Sequence, residues 1–162
     1  MLKDGCHLIF FFDKFKVTPI VKFLESLGMK ARQPLYYIKS NPCPSVHKVG
    51  FSQAVEQALW FSKNRATAER FNWRLGYQVN YVVAPLPTPH YHPTQKPLKV
   101  LEVWIDYLSK PNEVVLDPFA GSGSALVAAR KLGRRFIGIE KEEKFVKIIL
   151  DRLAEISQSL PL

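Results

Sequence analysis

The stretch from residue 114 to residue 140 constrains this chain more than any other. An apolar run (Val114, Val115, Leu116) closes on Asp117-Pro-Phe-Ala-Gly-Ser-Gly123, where a strand is expected to end and a helix to open. Glycines at 121 and 123 let a ligand approach bare backbone, and helix-start amides point at whatever binds. Leu126, Ala129 and Leu132 line the expected helix, Gly133 stops it, and residues 135–140 read as a second strand. Glu140 comes 17 residues after Gly123. That is close to the spacing at which a carboxylate meets ribose hydroxyls in a nucleotide-binding βαβ unit. The glycine pattern alone is a weak signal, because it is not G-x-G-x-x-G. It gains force from His92-Pro-Thr-Gln-Lys-Pro97 upstream.

The rest of the chain alternates strand and helix signals, which places it in the α/β class. Residues 7–12 read as a buried strand. Thr18-Pro19 predicts a helix start with Thr18 as N-cap. Ile20, Phe23, Leu24 and Leu27 form that helix's expected apolar face, and Gly28 ends it. Residues 35–38 form a strand stopped by Asn41-Pro-Cys-Pro44, and residues 57–61 form another. Residues 62–80 are polar, basic and aromatic. Residues 84–93 hold four prolines and predict an extended linker. Leu98, Leu101, Trp104, Ile105 and Leu108 recur at helical spacing. In the last helix Glu142 and Glu143 suit the positive end, and Phe145, Ile149, Leu153 and Ile156 form the stripe expected to be buried.

A length of 162 residues and an apolar content of 47% fit one globular domain with a core of its own. No 18-residue apolar run and no signal peptide are visible, so the expectation is no membrane span and a cytoplasmic location. Cys6 and Cys43 lack metal-type spacing and read as reduced thiols. His90 and His92 make an H-x-H pair without a third ligand, too little to predict a metal. The net charge is +9, distributed unevenly. Residues 1–80 carry 12 Lys/Arg against 5 Asp/Glu, whereas residues 81–162 carry 11 against 9. An excess confined to one half points to a polyanionic partner for that half. Lys63, Arg65, Arg70 and Arg74, among Phe71, Trp73 and Tyr77, are the candidates to meet it.

HPTQKP and DPFAGSG together resemble the amino-group DNA methyltransferases, which methylate adenine N6 or cytosine N4 with S-adenosylmethionine. The order is similar to that of the permuted branch, with the catalytic half preceding the cofactor half. Tyr36-Tyr-Ile-Lys-Ser-Asn-Pro42 is similar to the strand that ends the catalytic half, and residues 3–13 and 58–63 match more loosely. The resemblance implies a Rossmann-like methyltransferase fold in one domain. Residues 1–44 are then a remnant of the catalytic half, 45–91 a recognition and linker region, and 92–162 the cofactor half. It also implies double-stranded DNA as partner. Thr94 and Lys96 would meet the cofactor's carboxylate, Asp117 and Phe119 its methionine and sulfonium region, Gly121, Ser122 and Gly123 its backbone cradle, and Glu140 its ribose.

The resemblance breaks at one point. The family's catalytic motif is Asp, Asn or Ser followed by Pro-Pro and an aromatic residue, and this sequence contains no Pro-Pro pair. That motif is expected upstream of residues 7–12. Two central strands are therefore expected to be absent and the sheet incomplete. Two readings are open beside a weaker third, an unrelated Rossmann-like enzyme that uses another nucleotide. One is a fragment or split subunit, inactive alone and completed by a complementary N-terminal chain or by a second copy. The other is a non-catalytic remnant that retains cofactor or DNA affinity. No catalytic residue is assigned; Tyr36 and Tyr37 read as core.

Overall fold

The computed structural model describes residues 2–12, 15–45, 50–64 and 71–159, with side chains described to Ile156. Arg65 and Arg70 lie outside the described residues. The chain divides into two compact units, Met1–Pro85 and Leu86–Leu162, so the division falls within the 45–91 segment. Among the described residues no helix is long and apolar enough to cross a membrane.

The first unit is built around a long strand. β1 (His7–Phe11), α1 (Val17–Ser26), β2 (Met29–Ala31), β3 (Leu35–Lys39), β4 (Val55–Lys63) and β5 (Tyr81–Ala84) succeed one another in chain order. β4 carries β1 antiparallel on one side, from His7↔Ser62 to Phe11↔Ala58. Its other side is shared by β3, paired from Leu35↔Ala58 to Ile38↔Val55, and β2, paired from Met29↔Lys63 to Ala31↔Phe61. β5 adds parallel to β3. Alternation along β4 sends Leu59 and Phe61 to one face. There they join Met29 in a core covered by Val17, Ile20, Val21 and Leu24 of α1.

Three sequence expectations for this unit need correction. The α1 N-cap is Lys16, so Thr18 and Pro19 lie inside the first turn, where a proline costs nothing because its missing amide would be unpaired anyway. The inward, half-buried face of α1 runs through Val17, Ile20, Val21 and Leu24, leaving Phe23 and Leu27 57% and 52% exposed. The core selects the face that meets Phe61, not the face with the largest side chains. The predicted linker begins after β5, a strand whose pairing with β3 spans 45 residues of sequence and left no local signal.

The second unit places three helices around two strands. α2 (Leu98–Leu108), β6 (Val114–Asp117), α3 (Ser124–Lys131), β7 (Arg135–Gly138) and α4 (Glu143–Ser159) succeed one another, close to the expected boundaries. β6 and β7 pair in parallel from Val114↔Arg135 to Asp117↔Gly138, as the crossover connection through α3 allows. Ala120, Leu126 and Ile149 form the core beside this pair. Gly138 lies so close to Leu126 that a Cβ there would overlap its Cδ1. The strands of the two units form separate sheets, β1-β4-β3-β5 with β2, and β6-β7.

Candidate functional site

The 117–123 loop owes its shape to its glycines and a few hydrogen bonds. Asp117 ends β6 and its Oδ1 accepts the Phe119 amide at 3.1 Å. The Ala120 amide donates to the Ile139 carbonyl at 3.0 Å, holding the loop against the end of β7. Gly121 and Gly123 have φ of +52° and +76°, values that L side chains adopt only with strain. A Cβ on Gly123 would also meet Ile149 Cγ1 at 2.7 Å. Gly123 therefore lets α4 pack under the loop as well as turning it into α3.

Glu140 lies two residues past β7 and ties the loop to the turn before α4. Its Oε2 accepts the Gly121 amide at 2.8 Å, and its Oε1 accepts the Glu142 amide at 2.9 Å. The Glu142 amide is the main reason its carboxyl lies below the usual range, with the Gly121 and Lys141 amides adding to it. Asp117 goes the other way. Burial pushes its carboxyl up, against the Phe119 amide, and the charge of Glu140 adds to the rise. Glu140 also borders an open depression of about 410 Å³ lined by apolar groups, among them Phe136, Ile137, Val146 and Leu150. Phe119, 89% exposed, offers a bare aromatic face beside the loop.

The His92-to-Pro97 segment packs onto this loop. The His92 ring packs against Phe145 with centroids 4.5 Å apart and planes tilted by 57°, and it lies in van der Waals range of a Cβ built on Gly121. Its Nδ1 accepts the Thr94 amide at 3.1 Å. Gln95 closes the turn by accepting the Tyr91 amide at 2.8 Å and donating to the Pro89 carbonyl at 3.2 Å. Lys96 Nζ donates to the Thr94 carbonyl at 3.1 Å, so these two candidates stand side by side.

Arg152 was missed by sequence reasoning. It is 8% exposed. Its Nη1 donates to the Ser122 carbonyl and, at 3.4 Å, faces Ser124 Oγ. The guanidinium lies 5.2 Å from the centroid of the Tyr91 ring. One buried side chain thus joins α4, the glycine loop and the 90–97 segment. The available signal was its register: Arg152 falls three residues after Ile149 and four before Ile156, on the stripe read as apolar.

The basic candidates belong to the first unit. Lys63 ends β4 and its Nζ donates to the Leu27 carbonyl at 2.7 Å. Arg74 is exposed in the short 3-10 turn Trp73–Leu75. Tyr37 is 1% exposed with its hydroxyl donating to the Pro85 carbonyl at 3.1 Å, a core position.

Comparison with known proteins adds what geometry cannot. Residues 71–151, half of the chain, match the family model described as DNA methylase, the N6/N4 group. The type II methyltransferase M2.LlaDCHI of Lactococcus lactis subsp. cremoris is 36% identical over 143 residues, and M2.DpnII of Streptococcus pneumoniae is 37% identical over 143 residues. Each match covers 80% of this chain and 53% of the relative. The chain therefore spans about half the length of the curated relatives it matches. Among solved structures, the M1.HpyAVI–SAM complex superposes with a TM-score of 0.84 at 32% identity, covering 93% of this chain and 76% of that one. The PvuII cytosine-N4-specific DNA methyltransferase shares the fold, with a TM-score of 0.74 at 20% identity. On this family match and these relatives, the chain belongs to the N6/N4 DNA methylase family.

Proposed function

We propose that this chain is the cofactor-binding and DNA-facing part of an S-adenosylmethionine-dependent DNA amino-methyltransferase acting on adenine N6 or cytosine N4. The observation that carries the reading is Glu140 closing onto the glycine loop. Each Glu140 oxygen accepts one backbone amide, and a carboxylate oxygen has a further lone pair for a ribose hydroxyl. Gly121, Ser122 and Gly123 leave backbone open to the cofactor. Asp117 and Phe119 border its methionine end, and Thr94 and Lys96 suit its carboxylate. The donor set therefore fits the group. Bound there, S-adenosylmethionine supplies an electrophilic methyl on a sulfonium.

Transfer also needs a base held with its amine against that methyl. Positioning of this kind accounts for several orders of magnitude in rate. The Pro-Pro-aromatic motif is absent from these 162 residues, and among the described residues we assign no other group to its role. The complete activity therefore draws on a further segment that carries the motif. Two features support a complementary chain. Among the described residues β6 pairs only with β7, and Leu116 and Ile137 on that pair are 58% and 54% exposed, an apolar face able to receive another element.

Calorimetry of S-adenosylmethionine against wild type and Glu140→Ala tests the site, with NAD as control. Binding of the first ligand alone, weakened at least tenfold by the substitution, is expected. Equal affinity in both proteins removes Glu140 from the site. A labelled-methyl assay on unmethylated DNA tests the rest. Transfer is expected only when an N-terminal polypeptide bearing the Pro-Pro-aromatic motif is added, and brisk transfer by the 162 residues alone would overturn that part.

A further inference from the structure

One sheet face of the first unit carries a ladder of four rings that ends in solvent. His7 and Trp60 sit on neighbouring strands with centroids 5.7 Å apart, and Trp60 Nε1 donates to His7 Nδ1 at 3.2 Å. Phe71 stands 6.1 Å from Trp60, and Trp73 stands 4.8 Å from Phe71. The first three rings are partly buried, while Trp73 is 58% exposed. The ladder rises from the face opposite α1, because Trp60 alternates with Leu59 and Phe61.

The unit that carries the ladder is basic in sequence. Arg32 donates through Nε and Nη2 to Ser62 Oγ at 3.0 and 2.9 Å, on the face that also bears Trp60. Arg74 directly succeeds Trp73 and is exposed, and residues 1–80 hold 12 Lys/Arg against 5 Asp/Glu. Core packing accounts for His7, Trp60 and Phe71. It does not account for an indole at the open end, fixed from behind and bare in front. A rigid aromatic face beside long cationic side chains is what single-stranded nucleic acid binds, by stacking its bases and neutralising its phosphates.

We propose that Trp73 is a stacking platform for an unpaired base of DNA, with the rings behind it holding its plane and nearby cations taking the phosphates. The inference rests on the DNA reading above and adds a contact that the cofactor half does not supply. Stacking on Trp73 would offset part of the cost of drawing a nucleotide out of a duplex. It would be tolerant of sequence, because every base has a π face.

Fluorescence anisotropy with the whole chain at one fixed salt concentration tests this on two probes, a single-stranded oligonucleotide and a strand of equal length with abasic sites. Wild type should prefer the intact strand. Trp73→Ala should lose about tenfold on the intact strand, the scale of one base–aromatic stack, and almost nothing on the abasic one. Trp73→Phe should restore most of the affinity. If Trp73→Ala does not fold, Trp73→Leu keeps bulk without a π face and should behave as the alanine does. An equal loss on both strands makes Trp73 a backbone contact and overturns the proposal, as does no loss on either. Absence of wild-type binding to any DNA overturns it together with the DNA reading; binding that ignores Trp73 overturns it alone.

Discussion

The two units use different means to fix their structures. In Met1–Pro85 the core is a sandwich of one sheet face and α1, and its principal buried groups, Met29, Leu59 and Phe61, are apolar. Among the described residues of Leu86–Leu162 the sheet has two strands, and two arginines are buried with the apolar groups. Arg134 donates to Ser109 Oγ at 3.1 Å, to the Leu132 carbonyl at 2.6 Å, to the Ser109 carbonyl at 2.7 Å and to Asp106 Oδ1 at 2.8 Å. Arg152 holds Ser122 from beneath. Two strands bury little surface and are marginal by themselves. Apolar contact is also non-directional, so it cannot aim a loop. Hydrogen bonds from a planar guanidinium can, and Arg134 and Arg152, the arginines that are themselves buried among the described residues, both belong to the unit that carries the glycine loop, whereas Arg32 of the first unit reaches the buried Ser62 from a half-buried position.

This contrast can be broken most directly at Phe61. Truncating a fully buried phenylalanine costs about 3–5 kcal/mol, so Phe61→Ala should lower stability by about 4 kcal/mol in urea denaturation. Hydrogen exchange should speed up across β4 while α3 and β7 keep their protection. Simultaneous loss in both units would show that they share one cooperative fold.

Arg134→Ala comes next, at about 3 kcal/mol, because it removes the charged partner of a largely buried pair and strands several carbonyls. Exchange should rise in α2 and at the start of β7, and β4 should be untouched. A loss below about 0.5 kcal/mol, the range of ordinary surface substitutions, would reduce the arginine to packing.

The smallest effects sharpen the contrast inside the loop. Glu140 has a lowered carboxyl, so its ionised form contributes stability above the ordinary carboxylate pKa, and that contribution is lost as pH falls through the lowered folded value. Glu140→Gln should therefore melt earlier than wild type at neutral pH, with the difference closing in acid. Asp117 has a raised carboxyl, so its stabilising form is the protonated one, present in acid and lost as pH rises through the raised value. Asp117→Asn retains an acceptor for the Phe119 amide and should melt later than wild type near neutrality, the gain vanishing in acid. Thermal melts across pH 3 to 8 (roughly the carboxylate-to-neutral window) give both signs, and shifts of the same sign would show that the two acids do not titrate oppositely.

The sequence by itself determined the second unit almost completely. Strand 114–117, the helix after Gly123, the strand from Arg135 and the carboxylate at 140 are local patterns, each set by periodicity and glycine over a few turns of chain. Gly121 and Gly123 were legible for the same reason, since a backbone with positive φ leaves a residue-type signature. Tertiary structure alone decided the rest. Nothing in the residues of β5 states that Tyr81 pairs with Tyr36. Only the meeting with Phe61 chose Val17 and Val21 over Phe23 and Leu27 for the inner face of α1. The partners of Arg152 at Ser122 and Tyr91 lie 30 and 61 residues away in the chain. The physical reason is common to all three. Turn and helix preferences act between neighbours along the chain, whereas strand partners, helix faces and buried charges are chosen by burial, which depends on what the folded chain brings into contact.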